Sequence, residues 1–91
     1  MSETKLDDSL IEYPCDFPIK IIGTSQQGFV RAVTEVVVRH DPGFSAASMQ
    51  MRSSSGARYT SLTCTVRATS REQLDALYQE LCDHPLVTMV L

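Results

Sequence analysis

From Tyr59 to Ala68 the chain alternates without interruption, with Leu62, Cys64, Val66 and Ala68 in one set and Tyr59, Ser61, Thr63, Thr65 and Arg67 in the other. A period of two is that of an extended strand, whose successive side chains point to opposite faces. The first set is apolar and the second polar, so the strand belongs in a sheet that is packed on one side and wet on the other. Whatever covers the packed side must come from the remaining segments of a 91-residue chain.

Those segments supply two helices and three more strands. Phe17, Ile19 and Ile21 alternate with Pro18, Lys20 and Ile22 and predict a first strand, with Pro18 at its start and Gly23 as its stop. Phe29, Val30, Val33, Val36, Val37 and His40 then recur at spacings of three and four, the period of one helix face, with Thr24 or Ser25 offering an N-cap hydroxyl. The valines mildly oppose a helix, but the period and the stop at Asp41-Pro42-Gly43 decide for one. Ala47, Met49 and Met51 alternate with Ser48, Gln50 and Arg52 as a second strand, and Ser53-Ser54-Ser55-Gly56 turns the chain back into the third. Ser70 and Gln73 are spaced as a capping box for a second helix that buries Leu74, Leu77, Tyr78 and Leu81. Asp83-His84-Pro85 ends that helix, and residues 86–91 form a last strand.

The order βαββαβ is the split βαβ arrangement, an α+β ferredoxin-like sandwich. It has a four-stranded antiparallel sheet, two helices on one face, and strands one and three in the centre. The expected organisation is an acidic, flexible arm over residues 1–13 and a single domain over residues 14–91. Residues 1–16 hold five acids against Lys5, whereas residues 17–91 are close to neutral. Neither block has the basic footprint of a duplex nucleic-acid binder. No apolar run approaches the roughly 20 residues of a membrane span, and Met1-Ser2-Glu3-Thr4-Lys5 lacks the pattern of a secretory signal. A cytoplasmic location is therefore expected. Cys15, Cys64 and Cys82 form an odd set without CxxC spacing, which argues against a disulfide framework and a structural zinc site. Cys64 reads as a core residue, and Cys82 near His84 is too sparse for a metal site. No cofactor is expected.

The run Pro14-Cys15-Asp16-Phe17-Pro18-Ile19-Lys20-Ile21-Ile22-Gly23, the turn Ser54-Ser55-Gly56 with Tyr59, the helical run Ser70-Arg71-Glu72-Gln73 to Tyr78, and the ending Val87 to Leu91 resemble the YbeD-like family of small bacterial proteins. The resemblance covers about residues 13 to 91. It implies a ferredoxin-like fold similar to the ACT regulatory domains of amino-acid metabolism. It also implies a regulatory role, with lipoate metabolism suggested by genomic context. ACT domains bind amino acids at the loop after the first strand, where D-x-x-G precedes an apolar residue. Here Ser25-Gln26-Gln27-Gly28-Phe29 keeps the glycine and the apolar residue but has serine for the acid.

Two surfaces are candidate sites. The loop containing Gly23, Thr24, Ser25 and Gly28 precedes a helix start, where free amides and the helix dipole favour an anion. Its ordinary alternative is a tight connection with a hydroxyl cap, and no Gly-Lys-Ser/Thr follows to make it a P-loop. The open sheet face presents Lys20, Tyr59 and Arg67 together with Gln50, Arg52, Ser61, Thr63 and Thr65. Taken together, these features predict a non-enzymatic regulatory or binding module acting through a protein partner or small ligand, with pairing of two copies along the exposed edges of strands two and four.

Two alternatives share the fold. Acylphosphatases cradle phosphate in a G-x-V-Q-G-V-x-F/Y-R loop, but Arg31 follows Gln27-Gly28 one residue too soon, which rotates it by about 100° on a helix. The chain also contains no asparagine to position water. A single-stranded RNA binder would stack bases on aromatics of strands one and three, and Tyr59 alone is available. His40-Asp41 admits a base-and-acid reading, against which stands a histidine that closes the helical stripe near the helix C-terminus.

Overall fold

The computed structural model describes residues 12–54, 56 and 58–91; of the arm expected over residues 1–13, residues 1–11 lie outside them. The elements are β1 (Cys15–Thr24), α1 (Phe29–His40), a short 3₁₀ turn (Ala46–Ser48), β2 (Gln50–Ser53), β3 (Tyr59–Ala68), α2 (Arg71–Asp83) and β4 (Val87–Val90). The antiparallel sheet has the order β2-β3-β1-β4, which places β1 and β3 in the centre and β2 and β4 at the edges. This is the ferredoxin-like sandwich that the alternation and helix periods predict.

The long β1–β3 ladder, from Cys15 opposite Ala68 to Thr24 opposite Tyr59, aligns the apolar sets of both strands on one face. Ile19, Ile21, Leu62, Cys64 and Val66 from the strands meet Phe29, Val33, Val36 and Val37 from α1 and Leu74, Leu77 and Leu81 from α2 in one core. Burying a large apolar side chain of this kind contributes about 1.5–3 kcal/mol each before the entropy cost of ordering it. Burial pushes the Cys64 thiol up to about 11, so it packs there as a neutral residue. Tyr13, placed in the expected arm, packs against this core in part.

Four sequence expectations are corrected. β1 continues through Gly23 to Thr24, because Gly23 lies under the Phe29 ring. A Cβ there would collide with Leu86 O and Phe29 Cε1. α1 therefore starts at Phe29 after Gly28, which has φ +92, and has no side-chain cap. The two expected cap hydroxyls are engaged elsewhere: Thr24 Oγ1 accepts from Gln26 Nε2 at 2.6 Å, and Ser25 Oγ bonds Thr60 Oγ1 at 2.7 Å. Val30, assigned to the buried stripe, is 40% exposed on the flank of α1.

The second strand is shorter than its alternation suggests. Ser45 Oγ accepts from Ala47 N and draws residues 46–48 into the 3₁₀ turn, so Ala47 is not in the strand. Met51 shares the helix-side face with its partner Leu62, yet is 62% exposed because it sits at the sheet edge. The second helix starts as predicted, with Ser70 Oγ accepting from Gln73 N at 3.1 Å.

Candidate functional site on the open sheet face

The sheet face opposite the helices follows from the same register. Arg52, Ser61, Ile22 and Met89 form one row across β2, β3, β1 and β4, since Arg52 pairs with Ser61, Ser61 with Ile22 and Ile22 with Met89. Gln50, Thr63 and Lys20 form the next row, and Lys20 exchanges two backbone hydrogen bonds with Leu91, at 3.2 and 2.8 Å. At the end of β3, Tyr59 closes the hairpin: its amide donates to Ser54 Oγ at 3.0 Å, and its carbonyl accepts from Ser54 N at 2.8 Å.

These residues enclose an open cleft of about 330 Å³ lined by Lys20, Ile22, Arg52, Ser53, Ser54, Tyr59 and Ser61. Strand spacing puts the α-carbons of Lys20 and Arg52 about 12 Å apart, and both residues line the cleft together with Ser61. Among the described residues no carboxylate lies within ion-pair distance of either cation. The cleft thus combines two positive charges without an acidic partner among the described residues, several hydroxyls and one aromatic ring. Beside it, Met89 is 50% and Leu91 61% exposed, next to half-buried Ile22, so the β4 side of the same face is apolar.

Arg67 belongs to a different place. It sits at the far end of β3 beside a second cleft of about 400 Å³ with Asp16, Asp41, Phe44 and Thr65. Its guanidinium contacts Asp16 Oδ1 at 3.4 Å and its amide donates to Asp41 Oδ2 at 2.9 Å. Asp41 also accepts from Gly43 N at 3.2 Å, so this buried carboxylate ties the end of α1 to β3. His40 and Asp41 have separate partners, which agrees with the structural reading of His40 over the base-and-acid one. His40 Nε2 bonds Glu80 Oε1 at 2.8 Å, and Arg39 bonds the other oxygen of the same carboxylate. Together the two hold Glu80 below the usual carboxylate range, with Arg39 the larger cause.

In the other candidate, the loop after β1, several groups are engaged within the protein. Gly23 is covered by the Phe29 ring, the hydroxyls of Thr24 and Ser25 are bonded, and Phe29 N donates to Gln26 O at 3.1 Å. Residues 25–28 are all exposed, and a Cβ on Gly28 would meet nothing within 4 Å. Arg31 projects from α1 with its side chain 85% exposed and pairs with Glu35 rather than with the loop. His84 Nδ1 accepts from Leu86 N at 3.1 Å, a bond internal to the α2–β4 connection. The sequence marks Arg52 only as one polar residue of the face. Its place beside Lys20 depends on register, for which the local signal is the alternation of Gln50 to Arg52 against Ser61 and Thr63.

Comparison with known proteins matches residues 8–91 to the family described as "Protein of unknown function (DUF493)". The UPF0250 protein NE1487 of Nitrosomonas europaea is 59% identical over 85 residues, covering 93% of this chain and 98% of that protein. The chain belongs to this family. A UPF0250 protein of Bordetella pertussis is 58% identical over 93% of each chain. Among solved structures, protein HP0495 from H. pylori superposes with a TM-score of 0.73 at 17% identity, over 89% of this chain and 85% of that one. The ACT domain of the GTP pyrophosphokinase of Chlorobium tepidum superposes with a TM-score of 0.57 at 18% identity, over 85% and 97%. The DUF493 chain thus shares the ACT-like architecture that the resemblance implies. No helix among the described residues is long and apolar enough to cross a membrane.

Proposed function

We propose that this DUF493 protein is a non-enzymatic regulatory or binding module whose working surface is the open sheet face around Lys20, Arg52 and Tyr59. The observation that carries this reading is the pair of cations facing one cleft without an acidic partner among the described residues. Several other polar groups have partners within the protein: Arg67 has Asp16, Arg39 and His40 have Glu80, and the hydroxyls of the first loop have Gln26 and Thr60. An unpaired cation pair beside an aromatic ring is a surface for an anionic group supplied from outside. The ACT-like architecture supports a regulatory use, and the exposed edge strand β2, with Met51 62% exposed, supports pairing of two copies.

The test is a nuclear magnetic resonance titration of the full chain with inorganic phosphate, small carboxylates, amines and uncharged amino acids. Anions are expected to shift the amides of Lys20, Arg52, Tyr59 and Ser61, and less so in Arg52→Ala. Shifts confined to residues 25–28 would move the site to the first loop and overturn the reading. Acyl-phosphate turnover lost in Arg31→Ala would establish a hydrolase instead, and salt-sensitive binding of single-stranded RNA lost in Tyr59→Ala an RNA binder.

A further inference from the structure

The cleft is only half of the open face, and the other half differs in chemistry. Moving across one row from β2 to β4, the residues change from Arg52 and Ser61 to Ile22 and Met89. In the adjacent row they change from Gln50, Thr63 and Lys20 to Leu91. Four strands at about 4.8 Å spacing make each row about 14 Å long. Arg52 on β2 and Lys20 on β1 therefore flank Ser61, and the exposed apolar area lies beside Lys20 on β4. Single exposed hydrophobic residues are ordinary, but Met89 and Leu91 adjoin each other and Ile22 on one face.

We propose that the open face binds a small amphipathic carboxylate. Its head lies between Lys20 and Arg52, and its apolar chain runs over Ile22 toward Met89 and Leu91. This inference rests on the open face being the working surface and names the ligand class for it. A carboxylate can accept from a lysine, a guanidinium and a neighbouring hydroxyl such as Ser61, with no donor of its own left over. A compact, fully polar anion would leave Met89 and Leu91 uncovered, whereas a wholly apolar ligand would leave both cations without a partner. A chain of about 10 Å beyond the head matches the distance from Ser61 to Met89 in the row.

The experiment is a calorimetric and nuclear magnetic resonance titration of the full chain. The ligands are straight-chain carboxylates of increasing length, the alcohol matched to the longest acid, and inorganic phosphate. Partial burial of each methylene is expected to raise affinity about twofold per carbon, with shifts spreading from Lys20 and Arg52 to Ile22, Met89 and Leu91 as the chain lengthens. Arg52→Ala, an exposed position, should weaken every acid about tenfold while preserving the dependence on length. Met89→Ser should flatten that dependence while leaving the shortest acid unchanged.

Equal affinities for all acids and for phosphate, with shifts confined to the cleft, would overturn the ligand class and leave the open face as the working surface. The alcohol binding as tightly as its matched acid would likewise overturn the class. No shift on the open face with any of these ligands would remove both readings.

Discussion

The two faces of β1 and β3 are built from alternate residues of the same two strands, yet they have opposite character. On the helix side Ile19, Ile21, Leu62, Cys64 and Val66 are each at most 1% exposed. On the open side Lys20, Thr65 and Arg67 are exposed, and Ile22, Ser61 and Thr63 are half-buried. Stability is concentrated on the first face, which leaves residue choice on the second free for recognition. The contrast is sharpest at Gly23, where the packed face has no room even for a methyl group.

Gly23→Ala is expected to have the largest effect. The new Cβ would meet a backbone oxygen, which cannot rotate away, as well as an aromatic ring locked in the core. Overpacking of this kind costs about 3 kcal/mol, read as a lower denaturation midpoint at unchanged slope. A cost below about 1 kcal/mol would mean that the Phe29 ring moves readily, and the close approach of α1 to the sheet would not be what requires glycine.

A smaller pair of effects compares the faces directly. Leu62→Ala removes a fully buried side chain and should cost about 3 kcal/mol or somewhat less. Thr65→Gln, three residues along on the other face, should cost about 0.5 kcal/mol. Urea titrations of both variants check the comparison. A penalty for Thr65→Gln that approaches that of Leu62→Ala, or that varies with protein concentration, would show that the open face is covered in solution, most simply by a second copy.

What is legible in the sequence divides along the range of the signals. The alternation of β3 and the Ser70 hydroxyl cap of α2 are local and stand as read, while the other half of the capping box is replaced, since Gln73 Oε1 accepts from Thr69 N rather than from Ser70 N. The start of α1 is harder to place because Thr24, Ser25 and Gly28 all lie close together. Which of them ends the strand depends on Thr60, which claims the Ser25 hydroxyl from across the sheet. Ala47 carries the alternation with the wrong consequence, since a pattern of two does not reveal that Ser45 captures the turn, whereas the exposure of Met51 follows from the edge position that the order of elements already implies. The cleft is legible as a list of polar residues but not as a site. Bringing Lys20 beside Arg52 and separating both from Arg67 requires the register of three strands.

The seam between α1 and α2, on the outer side of the packed layer, is where the smallest effect is expected. Glu80 bridges Arg39 and His40 of α1 from its place on α2, and the Arg39 hydrogen bond, followed by that of His40, lowers its carboxyl below the ordinary value of 4.5. A carboxylate with a lower pKa in the folded state binds fewer protons there than in the unfolded chain. Its contribution to stability is therefore complete above the unfolded value and is lost as the pH falls through the folded one. The side chain is 35% exposed, so solvent and salt screen the interaction and the contribution is small. Denaturant titrations between about pH 6 and pH 3 should show Glu80→Gln falling less steeply than the parent below the ordinary glutamate value of 4.5, with the difference shrinking in high salt. Parallel curves would mean that the bridge does not couple the helices. The helix layer would then be held by its apolar face alone, which would widen the contrast between the two sides of the sheet.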